Sequence, residues 1–296
     1  ELDENNIEKI IKELKGTIKK YSGKKASNVE SKFENMVFVQ GGKYQPSFAD
    51  EEKEVFDIEV CKYPTTQKMW MEVMENNPSY SKGDNRPVEN ITWWQALEYC
   101  NKLSEKYGLE PVYDLSKSAQ GILMIKELGG ETVYPDVANF KNTEGFILPT
   151  EMEWGWFARG GQIAIDEGTF DYIYSGSNNF NEVAWFTENS GGKKDTYSNY
   201  YSGGSTQDVG LKKPNQLGLY DCSGNVWEWC YDTTGDLEEE KNYIYDTLDD
   251  DSYDTFRILK GGSWGGYAAD CDLLCSKFNL AVRANREFGF RIVRTI

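Results

Sequence analysis

Apolar and polar positions are most regularly ordered at the two ends of the stretch 257–296. Arg257-Ile258-Leu259 runs into Gly261-Gly262-Ser263-Trp264, and Gly289 to Arg294 alternates apolar with basic residues. Alternation of that kind predicts half-buried strands. The residues between, 265–288, follow no period and mix glycine, tyrosine, two cysteines, leucine, phenylalanine and arginine. An irregular, chemically mixed insert held in a strand frame predicts a displayed binding surface. An ordinary loop with a few tucked residues is the plainer alternative.

Upstream the period changes. Ile7, Ile10, Ile11, Leu14 and Ile18 fall at helical spacing within residues 5–21, and Ser22 to Asn35 reads as a polar linker. The expected organisation is therefore an N-terminal amphipathic helix and linker over 1–35 and a domain over 36–296. Met36 to Gln40 predicts a strand followed by a Gly41-Gly42 turn, and Asp57 to Val60 a second. A helix is expected over 66–76, capped by Thr65 or Thr66 and ended by Asn76-Asn77-Pro78. Another is expected over 92–106, with Thr92 as N-cap, a face of Trp93, Ala96, Leu97, Cys100 and Leu103, and Gly108 as its stop. Val112 to Asp114 and Phe146 to Leu148 read as short strands. Thr150 and Glu153 form a capping-box signature for a short helix. Gly160 to Pro214, rich in Gly, Ser, Asn, Tyr and Thr, reads as long loops.

Composition removes several function classes. The chain has 296 residues, 14% aromatics and a net charge of −17. That charge disfavours nucleic acid and anionic membrane surfaces as partners. No apolar run reaches the length of a membrane span. Histidine is absent, which excludes Ser-His-Asp and Cys-His catalysis and His-ligated metals. The cysteines are Cys61, Cys100, Cys222, Cys230, Cys271 and Cys275, with no Cys-x-x-Cys among them. A zinc or redox motif is not expected. Buried free thiols are, although the even number permits disulfides in an oxidising compartment. The chain starts at Glu1, without methionine, and a processed form that has lost a signal peptide is expected.

Four motifs stand in order: LPTEMEWGWFARGG at 148–161, KPNQLGLYD followed by SGNVWEW across 213–229, GGSW at 261–264, and GFRIVR at 289–294. Together they resemble the formylglycine-generating-enzyme (sulfatase-modifying factor) domain, from about Met36 to Thr295. The resemblance implies an α+β, C-type lectin-like fold with two helices, small antiparallel sheets and extensive loops. It also implies that the strand at 36–40 pairs with the strand at 289–294. Read physically, Gly224 permits a positive-φ turn and Asn225 can bond exposed backbone. Trp154, Trp227, Trp229, Trp264 and Phe290 are expected to form the frame.

The enzymes of this family use two thiols, five residues apart, to hold copper and attack a substrate cysteine. Aligned on GGSW those positions are Gly266 and Cys271, so one thiol is missing. The related iron-dependent enzymes need three histidines. No catalytic residue is therefore assigned, and no cofactor is required. The resemblance leaves room for structural calcium in the long loops, where Asp195, Asn199 and Asp208 offer oxygen ligands but no EF-hand spacing.

Intact flanks around a divergent insert resemble the variable proteins of diversity-generating retroelements, and among these the treponemal variable-lipoprotein type. Randomised asparagine codons cannot yield Trp, Met, Gln, Glu or Lys, and between 265 and 288 only Lys277 and Glu287 fall outside the allowed set. The resemblance implies a non-catalytic, surface-displayed binding protein, held to a membrane only through an N-terminal lipid, with a protein or cell-surface ligand. Its expected binding residues are Gly265, Gly266, Tyr267, Ala269, Asp270, Asp272, Leu274, Cys275, Phe278, Leu280, Ala281, Val282, Ala284, Asn285 and Phe288. Two alternatives stay open: an oxidoreductase of the formylglycine-generating type with altered thiol chemistry, and a purely structural module.

Overall fold

The computed structural model describes residues 31–135, 138–194, 201–233 and 255–296. The helix expected at 5–21 lies outside them. The α+β class read from the sequence is what the chain adopts. Its first sheet has β1 (Met36–Val39) and β14 (Val293–Thr295) on either side of β4 (Ile58–Cys61), both antiparallel to it. The expected direct pairing of the two terminal strands is thus corrected. All four residues of β4 are buried, Glu59 among them through its ion pair with Arg294 of β14 at 3.1 Å. β2 (Gly42–Tyr44) and β3 (Lys53–Val55) form a hairpin beside it.

Two helices follow. α1 (Gln67–Met71) is capped by Thr66, whose side chain accepts from Met69 N. It is shorter than expected, because turns take over before Asn76-Asn77-Pro78. α2 (Trp93–Lys106) begins in a capping box formed by Thr92 and Gln95. It buries Trp93, Ala96, Leu97, Tyr99, Cys100 and Leu103. A small sheet joins β5 (Tyr113–Asp114), β6 (Met124–Lys126) and β7 (Thr132–Val133). The strand expected at Phe146 to Leu148 is reduced to one bridge between Ile147 and Val293.

α3 (Glu151–Ala158) starts in the Thr150–Glu153 capping box. The stretch 160–214 is less irregular than its composition implies. It contains α4 (Gly161–Glu167), α5 (Phe180–Val183) and a hairpin of β8 (Lys193–Lys194) with β9 (Tyr201–Ser202). The last sheet has the order β12-β11-β10-β13, formed by β10 (Trp227–Thr233), β11 (Phe256–Lys260), β12 (Ser276–Leu280) and β13 (Phe288–Phe290). Its β10–β13 pair is parallel. The strand expected over 289–294 is therefore two strands in two sheets, broken where buried Arg291 turns inward.

The core runs between the sheets and α2. Trp70, Trp93, Trp154, Trp156 and Trp229 are fully buried. Each indole N–H is used: Trp93 donates to Cys230 O at 2.9 Å, Trp154 to Glu228 Oε2 at 2.8 Å and Trp156 to Gln40 O at 2.9 Å. Trp70 and Trp229 donate to Asn76 O and Ile91 O. A buried indole adds to stability only when its N–H is satisfied. Within the stretch expected as linker, Phe33 is buried and packs edge-on against Phe146 and Tyr107.

Candidate functional site

The insert 265–288 leaves the frame through a tight turn and returns through a strand. Gly261 and Gly262 have φ of 93° and 77°. A Cβ on Gly262 would lie 2.7 Å from Asp270 O, so glycine is required twice over. Trp264 is then fixed on three sides. Its N donates to Asn225 O at 2.9 Å, its indole to Arg286 O at 3.0 Å, and its carbonyl accepts from Ser190 Oγ at 2.9 Å. Asn225 sits at φ 66° and exchanges side-chain bonds with the backbone of Gln207. Beside it Gly224 would place a Cβ 2.3 Å from Trp185 O. The turn chemistry read from GNVWEW is present as expected.

Contrary to the aperiodic reading, the insert contains a 3-10 turn at Ala268–Cys271 and the strand β12. β12 is an edge strand, paired from Lys260↔Ser276 to Phe256↔Leu280. A relay from buried Lys260 to buried Glu151, bridged by exposed Ser276, fastens its start. Lys260 Nζ donates to Ser276 Oγ at 2.8 Å, and Ser276 Oγ donates to Glu151 Oε1 at 2.7 Å. Lys277 lies over the rings of Trp227 and Phe288 at 5.5 and 5.4 Å. The insert's far end is tied to α2, where Trp93 N donates to Ala281 O at 3.1 Å.

Burial divides the expected binding residues. Tyr267, Leu274, Phe278 and Val282 are 56%, 54%, 58% and 40% exposed. Ala269, Ala284 and Asn285 are also exposed; Gly265, Gly266, Asp270, Asp272, Cys275 and Leu280 are partly so. Asp270 and Asp272 are spent locally, accepting from the backbone N–H of Tyr267 and Leu274 at 2.7 and 2.8 Å. Two positions are corrected. Ala281 is wholly buried beneath the start of α2, and Phe288 belongs to β13, edge-on to Trp229 at 5.3 Å. Frame packing holds both. Phe256 was missed. It is 44% exposed and its ring meets that of Phe278 at 5.6 Å, edge to face. The pairing of Phe256 with Leu280 puts these rings on one side of the hairpin; strand register, rather than residue type, is the signal that finds it.

The thiol chemistry can be tested on the donors. Gly266 offers no ligand atom. Cys271 is wholly buried in a small cluster with Tyr174, Val183 and Phe186, and its Sγ faces Tyr267 O at 3.7 Å. Burial, with Asp270 and Cys275 adding to it, pushes its thiol up to about 12. Burial also raises half-buried Cys275. The two-thiolate copper site of the formylglycine-generating enzymes does not fit these residues. All six cysteines are unpaired. Of the calcium candidates, Asp195 and Asn199 lie outside the described residues, and Asp208 faces Arg86 at 3.9 Å. Among the described residues no group of three or more acidic or cysteine side chains could hold a metal ion. Nor is any described helix long and apolar enough to cross a membrane.

Comparison with known proteins agrees with this architecture. The sequence model of the sulfatase-modifying factor enzyme 1-like domain matches residues 22–296. The chain is 37% identical over 271 residues to the chaperone protein LppX of Paenibacillus barcinonensis, covering 88% of this chain and 90% of that protein. It is 29% identical over 166 residues to a formylglycine-generating enzyme of Streptomyces coelicolor, matching 53% of this chain and 49% of that enzyme. Among solved structures it superposes on Treponema denticola variable protein 1 with a TM-score of 0.66 and 29% identity, over 91% of this chain and all of that one. The fold is therefore the C-type lectin-like fold of the formylglycine-generating-enzyme type, and the chain belongs to the sulfatase-modifying factor enzyme 1-like family.

Proposed function

We propose that this chain is a non-catalytic binding module displayed at a cell surface, with residues 265–288 and Phe256 as its ligand face. The observation that carries this reading is the division within the insert. Tyr267, Leu274, Phe278 and Val282 are exposed, while backbone pairing, the Lys260–Ser276–Glu151 relay and buried Cys271, Leu273, Ala281 and Phe288 hold the insert in place. Exposed apolar anchors beside polar edges suit a protein ligand. Similarity to a variable protein adds the finer reading, that this segment is diversified by a retroelement. A near-identical repeat of the last part of the coding sequence beside a reverse-transcriptase gene would support it. A lipid anchor is the matching mode of attachment.

A phage-displayed peptide library selected on the full chain tests the reading. Selected binders should lose tenfold or more in affinity on Tyr267→Ala/Phe278→Ala and nothing on Leu128→Ala, a residue 55% exposed elsewhere. Binders indifferent to the face variant would refute it. Similarity to a chaperone protein over most of both chains favours a second reading, in which the same face holds a client polypeptide. Suppression of client aggregation that the face variant abolishes would select it.

A further inference from the structure

Among the described residues, β12 has a neighbour on one side only. Its register with β11 fixes which backbone groups face away from the sheet. Ala281 N donates to Thr255 O at 2.8 Å, one step beyond the Phe256↔Leu280 pair. Hydrogen-bonded pairs alternate along an antiparallel ladder. Lys277 and Asn279 therefore bond β11, while Ser276, Phe278 and Leu280 turn their N–H and C=O outward. Leu280 is satisfied locally: its N–H donates to Asn279 Oδ1 at 2.9 Å, and its carbonyl accepts from Arg283 N at 2.9 Å. The outward backbone groups of Ser276 and Phe278 have no partner among the described residues, and both residues are exposed.

Sheet edges are commonly guarded by a bulge, a proline or a lysine laid along the edge. The β11–β12 register runs without a shift from Ser276 to Leu280, and the strand contains no proline. Its lysine, Lys277, lies over the rings of Trp227 and Phe288 instead. The charge beside this open edge is positive. From Lys277 to Arg286 the chain carries three basic residues and no acidic one, in a protein of net charge −17. Arg283 and Arg286 are exposed, and neither forms an ion pair among the described residues. Arg286 is also held in position. Its guanidinium lies 5.9 Å from the ring of Tyr80 and 5.4 Å from that of Trp264, and its carbonyl accepts from the Trp264 indole.

We propose that the β12 edge receives an extended acidic segment of a protein ligand as an added strand. The segment's backbone pairs with Ser276 and Phe278, and its carboxylates reach Arg283 and Arg286. This rests on the ligand face proposed above and states how that face takes its partner. Strand addition draws affinity from main-chain bonds, which survive exchange of the side chains around them. A second copy of this chain is the poorer occupant, because two molecules of net charge −17 repel.

The probes are peptides selected on the full chain, resynthesised with one backbone N-methyl group at a time. Methyl groups at alternate positions should weaken binding about fivefold or more, the worth of one hydrogen bond, and those between should have no effect. Saturating peptide should slow amide exchange at Phe278 tenfold or more. Arg283→Ser/Arg286→Ser should erase the advantage of acidic peptides over versions with Asn and Gln in place of Asp and Glu. A peptide that loses affinity on Tyr267→Ala/Phe278→Ala yet tolerates a methyl at every position would overturn strand addition and leave the ligand face standing. A peptide indifferent to that face variant would overturn both. Undiminished acidic preference in the arginine variant would overturn the proposal, as would protection of Phe278 by dimerisation without peptide.

Discussion

Arg291 grips Glu228 twice, Nη2 to Oε1 at 2.8 Å and Nε to Oε2 at 3.1 Å, with both side chains sealed from solvent. The remaining guanidinium bonds go to Cys61 O and Tyr220 O. Glu228 lies in β10, Cys61 in β4, and Arg291 between β13 and β14. The pair thus joins the two main sheets. Removing one partner strands a buried charge. Arg291→Met or Glu228→Gln should each cost about 3–5 kcal/mol in chemical denaturation, while the double variant Arg291→Met/Glu228→Leu should recover much of it. A double variant as unstable as the two losses summed would show that the two residues contribute independently and that neither single loss strands the other's charge.

The insert should separate binding from stability. Alanine at Tyr267, Leu274, Phe278 and Val282 together should lower stability by about 0.5 kcal/mol or less per site, with Phe278 highest because it leaves Phe256. Phe288→Ala should cost about 3–5 kcal/mol, as Trp264→Ala should. Urea melts of the three variants make the comparison. A surface variant as unstable as Phe288→Ala would place the exposed residues in the core.

Asp221 should give the protein an acid-side stability term of unusual sign. Burial raises its carboxyl from 3.8 to about 6, outweighing the bonds from Gly210 N and Asn225 and the charge of Arg291. A raised carboxyl favours folding when protonated. Its contribution is full below pH 3.8 and is lost as pH rises through about 6, a swing on the order of 2–3 kcal/mol. Asp221→Asn should flatten this part of the stability profile. An unchanged difference between pH 4 and pH 7 would contradict the assignment.

No copper-dependent oxidation of cysteine peptides is expected. At pH 8 a thiol near 12 is ionised about once in 10⁴ molecules, and Gly266 cannot complete a pair. In the native chain iodoacetamide should label half-buried Cys275 well before Cys271, as peptide mass mapping would reveal. Turnover above a metal-free control, lost in Cys271→Ser, would reverse this view.

Local signals were the legible ones. Thr92 as an N-cap and Thr150 with Glu153 as a capping box announce their helices because a cap acts within four residues. The frame tryptophans were legible as a set for the bulk they bury. The partners of the terminal strands were not, since β1 and β14 each carry a pattern that any edge would satisfy. Only the uniform burial of Ile58–Cys61 reveals that β4 stands between them. Phe288 was misplaced for a related reason. Its neighbours in sequence belong to the insert, but its parallel pairing with Trp227 spans 61 positions. Phe256 was overlooked because a strand end in the frame gives no hint, along the chain, of which ring it will face.

α2 has a mechanical consequence. One end of the helix holds the insert through Trp93 and Ala281; at the other, Tyr107 packs on Phe33, the first buried residue of the described chain. The helix is a strut about 21 Å long, and tension drawn through the residues before Ser31 enters at its opposite pole. A pull there loads Phe33 and the β1 edge first, leaving the β11–β12 pair unstretched. Under the proposed anchoring through the N-terminal side, a molecule captured at Phe278 would feel that attachment as orientation and reach, not as strain.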